Sequence, residues 1–354
     1  MPNPYTDLSP NAYWRTAVAE TDPMTPGDLY QPKFEITPET AILTVGSCFA
    51  QHVGKALRGA EFNVIDTESL PDAVSDSVAQ RFGYRMYSAR YGNVYTMRQL
   101  LQLLREARGK FTPEDAVWEK DGRFFDAMRP AVEPEGLDTA DLVNSHRTSH
   151  LLLTRRAFFK ADVVVLTLGL TEAWMHRASE TVYPTAPGVI AGAYDPDIHV
   201  FKKFRYDEII KDFLTFRKML QQRNPAVKFL LTVSPVPLTA TASGQHVEVA
   251  TAHSKAVLRA VCGALYDDYD DVDYFPSYEA ITSAKSGGAY FTENRRSVTK
   301  EGVAKAMRMF LSAHGAPVPD DTDDAPAKLS IPNAYAKAEA DAQCEDVLLE
   351  AFSK

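Results

Sequence analysis

A chain of 354 residues with 45% hydrophobic and 24% charged side chains has the material for a sizeable core, in one large domain or two small ones. Its net charge of -9 and pI of about 5.5 argue against a nucleic-acid-binding surface, and no apolar run approaches a membrane span. The start, Met1-Pro-Asn-Pro-Tyr, has neither the basic nor the apolar stretch of a secretory signal. The scattered Cys48, Cys262 and Cys344 suggest neither a disulfide framework nor a zinc site, so a cytoplasmic chain without metal or cofactor is expected.

In chain order, residues 1–38 are rich in proline and polar residues and carry Tyr13 and Trp14, which reads as an arm on the domain surface. A domain over 39–315 follows, in which apolar runs alternate with helical patterns. Strands are expected at Ala41–Val45, Phe62–Ile65, Asp162–Leu168, Lys228–Ser234 and Val272–Phe275. Val163-Val164-Val165-Leu166 and Phe229-Leu230-Leu231 are continuously apolar, as in strands covered on both faces. Helices are expected at Met97–Arg108, Tyr206–Gln222, His246–Tyr266 and Val298–His314, the last with Thr299 as N-cap. Val117–Pro130 reads as a hairpin turning at Asp121-Gly122. The Pro- and Gly-rich Val182–Phe201 reads as a long loop, either a lid or a surface-filling Ω-loop. Residues 316–354 read as a Pro/Asp-rich linker and a short acidic amphipathic helix. The alternation predicts a three-layer α/β/α domain, flavodoxin-like, with a mostly parallel central sheet. Ligands then bind at the carboxyl ends of its strands, where Ser47, Gly169 and Ser234 stand.

Ser47 is the residue with the sharpest chemistry. The apolar run Ile42–Val45 ends in Gly46-Ser47, and Phe49, Val53 and Leu57 then recur at helical spacing. The hydroxyl therefore sits where a strand passes into a helix, near unpaired N–H groups and the positive end of the helix dipole. Such a serine is either a nucleophile with a cradle for an oxyanion, or a turn residue that caps the helix. Cys48 beside it falls on the apolar helix face, which suits packing.

Gly46-Ser47-Cys48-Phe49-Ala50 resembles the signature of the GSCFA-domain proteins, a bacterial group similar to the SGNH/GDSL esterases and acyltransferases. The resemblance runs from about Thr44 to about Phe310, through Ser88–Asn93, Thr167–Trp174, Ser234–Leu238 and Ser254–Arg259. It implies a serine-dependent esterase or O-acyltransferase, with Ser47 as nucleophile and the backbone of Ser47, Gly92 and Asn93 around the oxyanion. The substrate implied is an acylated glycan or lipid precursor. Gly169 matches the third block of such enzymes, where Thr171 and Glu172 follow in place of the usual asparagine. Glu172 then orients a base, binds a polar substrate group, or caps a helix starting near Ala173.

One departure is serious. Where these enzymes carry Asp-x-x-His before the last helix, this chain has Asn294-Arg295-Arg296-Ser297, without acid or imidazole. His253 is the first candidate for the base, with His146 and His150, four apart, as the second; His52 and His199 are weaker. Arg295 and Arg296 suit a pocket for an anionic group, with Asn294 and Ser297 lining it. The alternative to catalysis is thus a degenerate module that binds a small anionic ligand or a partner protein.

Overall fold

The structure is a computed structural model that describes residues 3–22 and 28–316; the expected C-terminal linker and helix beyond 316, with Cys344, lie outside the described residues. In chain order, β1 (Ile42–Gly46) leads into α1 (Phe49–Gly59), followed by α2 (Asp76–Arg81) and α3 (Met97–Ala107). The hairpin β2 (Val117–Lys120) and β3 (Arg123–Asp126) precedes α4 (Ala140–Lys160) and β4 (Val163–Leu168). Next come β5 (Glu172–His176), β6 (Val182–Tyr183) and β7 (His199–Lys203). The chain continues through α5 (Tyr206–Gln221), β8 (Lys228–Val233), α6 (Val247–Asp268), β9 (Val272–Tyr274), α7 (Ser277–Thr282) and α8 (Lys300–Ala313).

The central sheet has the order β1-β4-β8-β9, and every pairing is parallel. Successive side chains of a strand point to opposite faces, and both faces here are covered. Ile42, Val163, Val165 and Leu230 pack with Phe49 and Val53 of α1 and Phe310 of α8. Leu43, Val164, Leu166 and Leu231 pack with Leu100 of α3, Phe213 of α5 and Leu258 of α6. Two helical layers around one sheet explain the uninterrupted apolar runs, each fully buried side chain being worth about 1.5–3 kcal/mol.

The expected strand at Phe62–Ile65 contributes a single parallel bridge, Ile42 to Val64, on the outer side of β1. The second extended segment of this sheet in chain order therefore lies outside the first, and the next, β4, on its other side. The winding direction reverses between β1 and β4, and such a reversal opens a crevice at the carboxyl ends of the two strands. Ser47 follows β1 and Gly169 follows β4.

Elsewhere the structure corrects the sequence reading. The chain after Gly169 enters a strand, β5, not a helix at Ala173. The expected loop Val182–Phe201 supplies β6 and most of β7, which flank β5 in an antiparallel sheet. Helix α4 was not evident from apolar spacing because its buried face carries Arg147, His150 and Thr154 among its apolar residues. Arg147 pairs with Glu106 and, at 2.9 Å, with Asp126; Arg129 adds a 2.7 Å contact to Asp126. The hairpin turns at Asp121-Gly122, both at positive φ (50° and 76°), as a tight two-residue turn requires. The N-terminal segment is only partly a surface arm, since Tyr30, Phe34 and Ile36 are buried in the same cluster as Phe310. Thr299 caps α8, its Oγ1 accepting from the Gly302 N–H at 3.1 Å. Among the described residues, no helix is long and apolar enough to cross a membrane.

Candidate functional site

Gly46 and Thr167 are register partners at the ends of β1 and β4. Gly46 has φ of 147°, and a Cβ there would lie 2.3 Å from the Thr167 carbonyl oxygen, so only glycine lets the strands close up. Ser47 follows with 3% of its surface exposed, and its Oγ makes no hydrogen bond to any of the described residues. The capping alternative fails on this point, because Cys48 is the N-cap of α1 and no side chain caps that helix. The Ser47 N–H extends the sheet ladder, donating to Thr167 O at 3.2 Å. It is therefore not directed at an oxyanion, contrary to the expectation for the Ser47 backbone.

The segment carrying Gly92 and Asn93 lies against Ser47. The Val94 N–H donates to Gly46 O at 2.9 Å, and Tyr87 OH lies 3.4 Å from Ser47 O. Tyr87 OH also donates to Asn93 Oδ1 at 2.5 Å, and Gln51 of α1 donates to the same oxygen at 3.2 Å. Gln99 fixes the Asn93 carbonyl at 3.0 Å, which holds this buried amide beside the end of β1.

Gly169 closes the site from β4. Helix α6 reaches it through two buried side chains, Ser254 and Lys255. Lys255, 2% exposed, donates its Nζ to Gly169 O at 2.8 Å. Ser254 Oγ accepts from the Thr171 N–H at 3.0 Å. His253 is exposed on the same helix, so α6 presents Lys255 and not His253 to this edge of the sheet. The sequence did carry a signal for Lys255: with Leu258 and Cys262 it falls on the buried stripe of α6, where a solvated lysine does not belong.

The other imidazoles are engaged elsewhere. His146 is exposed on α4, and His150 is buried with its Nδ1 2.8 Å from Glu68 Oε2. Burial, with Arg129 nearby, pushes His150 down to about 4 against the pull of Glu68. His52 lies on α1 with its ring against Phe49, and burial followed by Lys55 pushes it to about 4. His199 stacks near Tyr194 and accepts from the Asp195 N–H at 3.0 Å.

The turn before α8 is held together by the side chain of Asn294. Asn294 Oδ1 accepts from the N–H groups of Arg296 and Ser297, and its Nδ2 donates to Ser297 Oγ at 3.0 Å. Arg295 is exposed while Arg296 is buried, so the pair is divided between solvent and interior instead of sharing one anion pocket.

Glu172 begins β5 and is 7% exposed; its Oε2 accepts from Thr241 at 2.8 Å. It lines a cavity of about 260 Å³ that starts at Leu170, the neighbour of Gly169. Chemically, then, the sheet edge combines a sealed hydroxyl, a buried amide, a buried amine and an adjoining pocket with one carboxylate.

No curated protein and no solved structure gives a significant match to the chain. The model of the GSCFA family does match, over residues 41–310. That span takes in β1 with Gly46-Ser47, the Gly92-Asn93 segment, Gly169, Lys255 and most of α8, and on it this chain belongs to the GSCFA family.

Proposed function

We propose that the chain is a serine-dependent esterase or O-acyltransferase, with an arrangement similar to that of SGNH enzymes, acting on an acylated glycan or lipid precursor. The observation that carries this reading is the Ser47 hydroxyl, buried and without a hydrogen bond at the β1–β4 reversal, with the Lys255 amine on the adjoining Gly169. A nucleophile needs a proton acceptor, and Lys255 takes the part that imidazole plays in other serine enzymes. Ser47 Oγ gives its proton to the Lys255 amine and bonds to the acyl carbon. The ester C–O bond breaks, and the departing alkoxide takes that proton back. Water or an acceptor hydroxyl then releases the acyl group by the same steps in reverse. Gly92 and Asn93 supply amide donors for the oxyanion.

A second reading, a catalytically silent binding module, is favoured by Asn294 and Ser297, neither of which accepts a proton near neutral pH. Labelling with a fluorophosphonate probe, followed by peptide mass spectrometry, separates the two. An adduct on Ser47 that disappears in Ser47→Ala is the expected result. A folded chain that takes up no probe would discard the enzyme reading in favour of binding.

A further inference from the structure

Three residues that line the cavity beside Gly169 each carry a buried polar atom with no hydrogen-bond partner among the described residues: Glu172 Oε1, Thr185 Oγ1 and Thr239 Oγ1. They come from three separate segments, namely β5, the turn after β6 and the loop after β8. A buried polar atom without a partner costs about 1–3 kcal/mol, so three around one cavity describe a site completed by a ligand. Thr241 occupies one carboxylate oxygen of Glu172 and leaves the other without a hydrogen-bond partner among the described residues. Trp174, Tyr183 and Phe201 add aromatic side chains to a lining that also includes Leu170, Pro184 and Leu238, and among the described residues no lysine, arginine or histidine lines the cavity.

We infer that this cavity is a subsite for one uncharged sugar ring. A carboxylate oxygen accepts from a hydroxyl, and the two threonine hydroxyls donate or accept as the ligand requires. Aromatic rings cover the apolar C–H face of a pyranose. A carboxylate in a cavity without a cation repels phosphate, sulfate and uronate groups, so the small anionic ligand considered from the sequence does not suit it. The volume, about 260 Å³, falls below the ~300–1,000 Å³ of pockets for drug-sized molecules and matches a single ring. Glu172 is three residues beyond Gly169, a reach of at most about 10 Å, which sets the cavity beside the end of β4 that carries Gly169 against Ser47. As a substrate subsite the assignment rests on the acyl-transfer reading above, and it selects the glycan over the lipid.

The test uses the full chain carrying Ser47→Ala, so that binding is read without chemistry. Methyl glucoside is expected to show saturation transfer by NMR, with glucuronate at least about tenfold weaker. Glu172→Gln weakens methyl glucoside binding about tenfold, the loss of one charge-assisted hydrogen bond. Thr239→Val, which keeps the shape of the side chain, weakens it about threefold to tenfold and covers the case that Glu172→Gln misfolds. The inference is overturned if methyl glucoside gives no transfer up to about 20 mM, if glucuronate or butylamine binds as well as the glucoside, or if neither variant changes binding. Probe labelling of Ser47 in the unsubstituted chain reports on acyl transfer separately. Labelling without sugar binding removes the subsite alone, and sugar binding without labelling removes the chemistry alone.

Discussion

A Cβ placed on Gly169 would lie 2.7 Å from the Cβ of Ser47 and 3.3 Å from its Oγ. The two residues follow the paired strands β1 and β4, so neither withdraws without disturbing the sheet. Gly169→Ala is therefore expected to cost about 1–3 kcal/mol by overpacking. It also displaces Ser47 and lowers fluorophosphonate reactivity. Ser47→Ala removes a buried hydroxyl that makes no hydrogen bond, so it is expected to leave stability unchanged or slightly raised. Thermal unfolding of the two variants checks both signs, and a strongly destabilised Ser47→Ala would mean that the hydroxyl has a structural partner.

Lys255→Met keeps an unbranched apolar stem in the buried stripe of α6 and removes the amine from Gly169 O. If Lys255 accepts the Ser47 proton, the rate of probe labelling should drop by about 10²–10⁴, with the sigmoidal pH dependence of that rate flattened. A variant that labels at the original rate and pH dependence would confine Lys255 to a positioning role for Gly169.

The Asn294–Ser297 contact of 3.0 Å shows that the turn before α8 already holds its first and fourth residues together. Asn294→Asp with Ser297→His would replace that contact by a carboxylate–imidazole pair. The double variant is expected to label at least about tenfold faster than the parent, and either single substitution to give less. No gain in a folded double variant would mean that this turn lies out of reach of Ser47.

Arg147 is buried between Asp126 and Glu106 and so ties the hairpin to α3 and α4. Burial alone would raise the Asp126 carboxyl, but Arg147 and Arg129 overcome it and hold the group at about 2. Arg147→Met strands the buried Glu106 carboxylate and leaves Asp126 with Arg129 alone, and should cost about 3–5 kcal/mol in urea denaturation. A cost below about 1 kcal/mol would show that water reaches the network.

His150 also sets a pH dependence. Its imidazole is lowered from 6.5 to about 4 in the folded chain, chiefly by burial. Between those values unfolding takes up a proton, so this contribution to stability is present above pH 6.5 and is lost as the pH falls through about 4. The slope from His150 alone reaches about 1.4 kcal/mol per pH unit. His150→Gln should flatten the decline in urea midpoint over that window, and an unchanged slope would assign the acid sensitivity to His52 and His314, both also lowered to about 4.

Much of the fold was legible in the chain because it is written in local periodicity. Runs such as Val163–Leu166 announce strands buried on both faces, and Phe49, Val53 and Leu57 announce the helix that begins just past Ser47. The hairpin was equally readable, because Asp121-Gly122 takes a backbone form that few other pairs adopt. Helix α4 was hidden, since ion pairs from distant segments replace the apolar contacts that periodicity detects.

The site divides the same way. By itself the sequence determined that Ser47 stands where a strand ends and a helix begins, and that Asn294-Arg295-Arg296-Ser297 carries neither a carboxylate nor an imidazole, because these are properties of neighbouring residues. Only the tertiary structure decided that α6 turns Lys255 and not His253 toward Gly169. Only it decided that Glu172, Thr185 and Thr239 share one cavity. The physical reason is that such contacts depend on how the parallel strands are ordered and where each crossover returns, and no local pattern encodes the distance between residues that meet through the sheet.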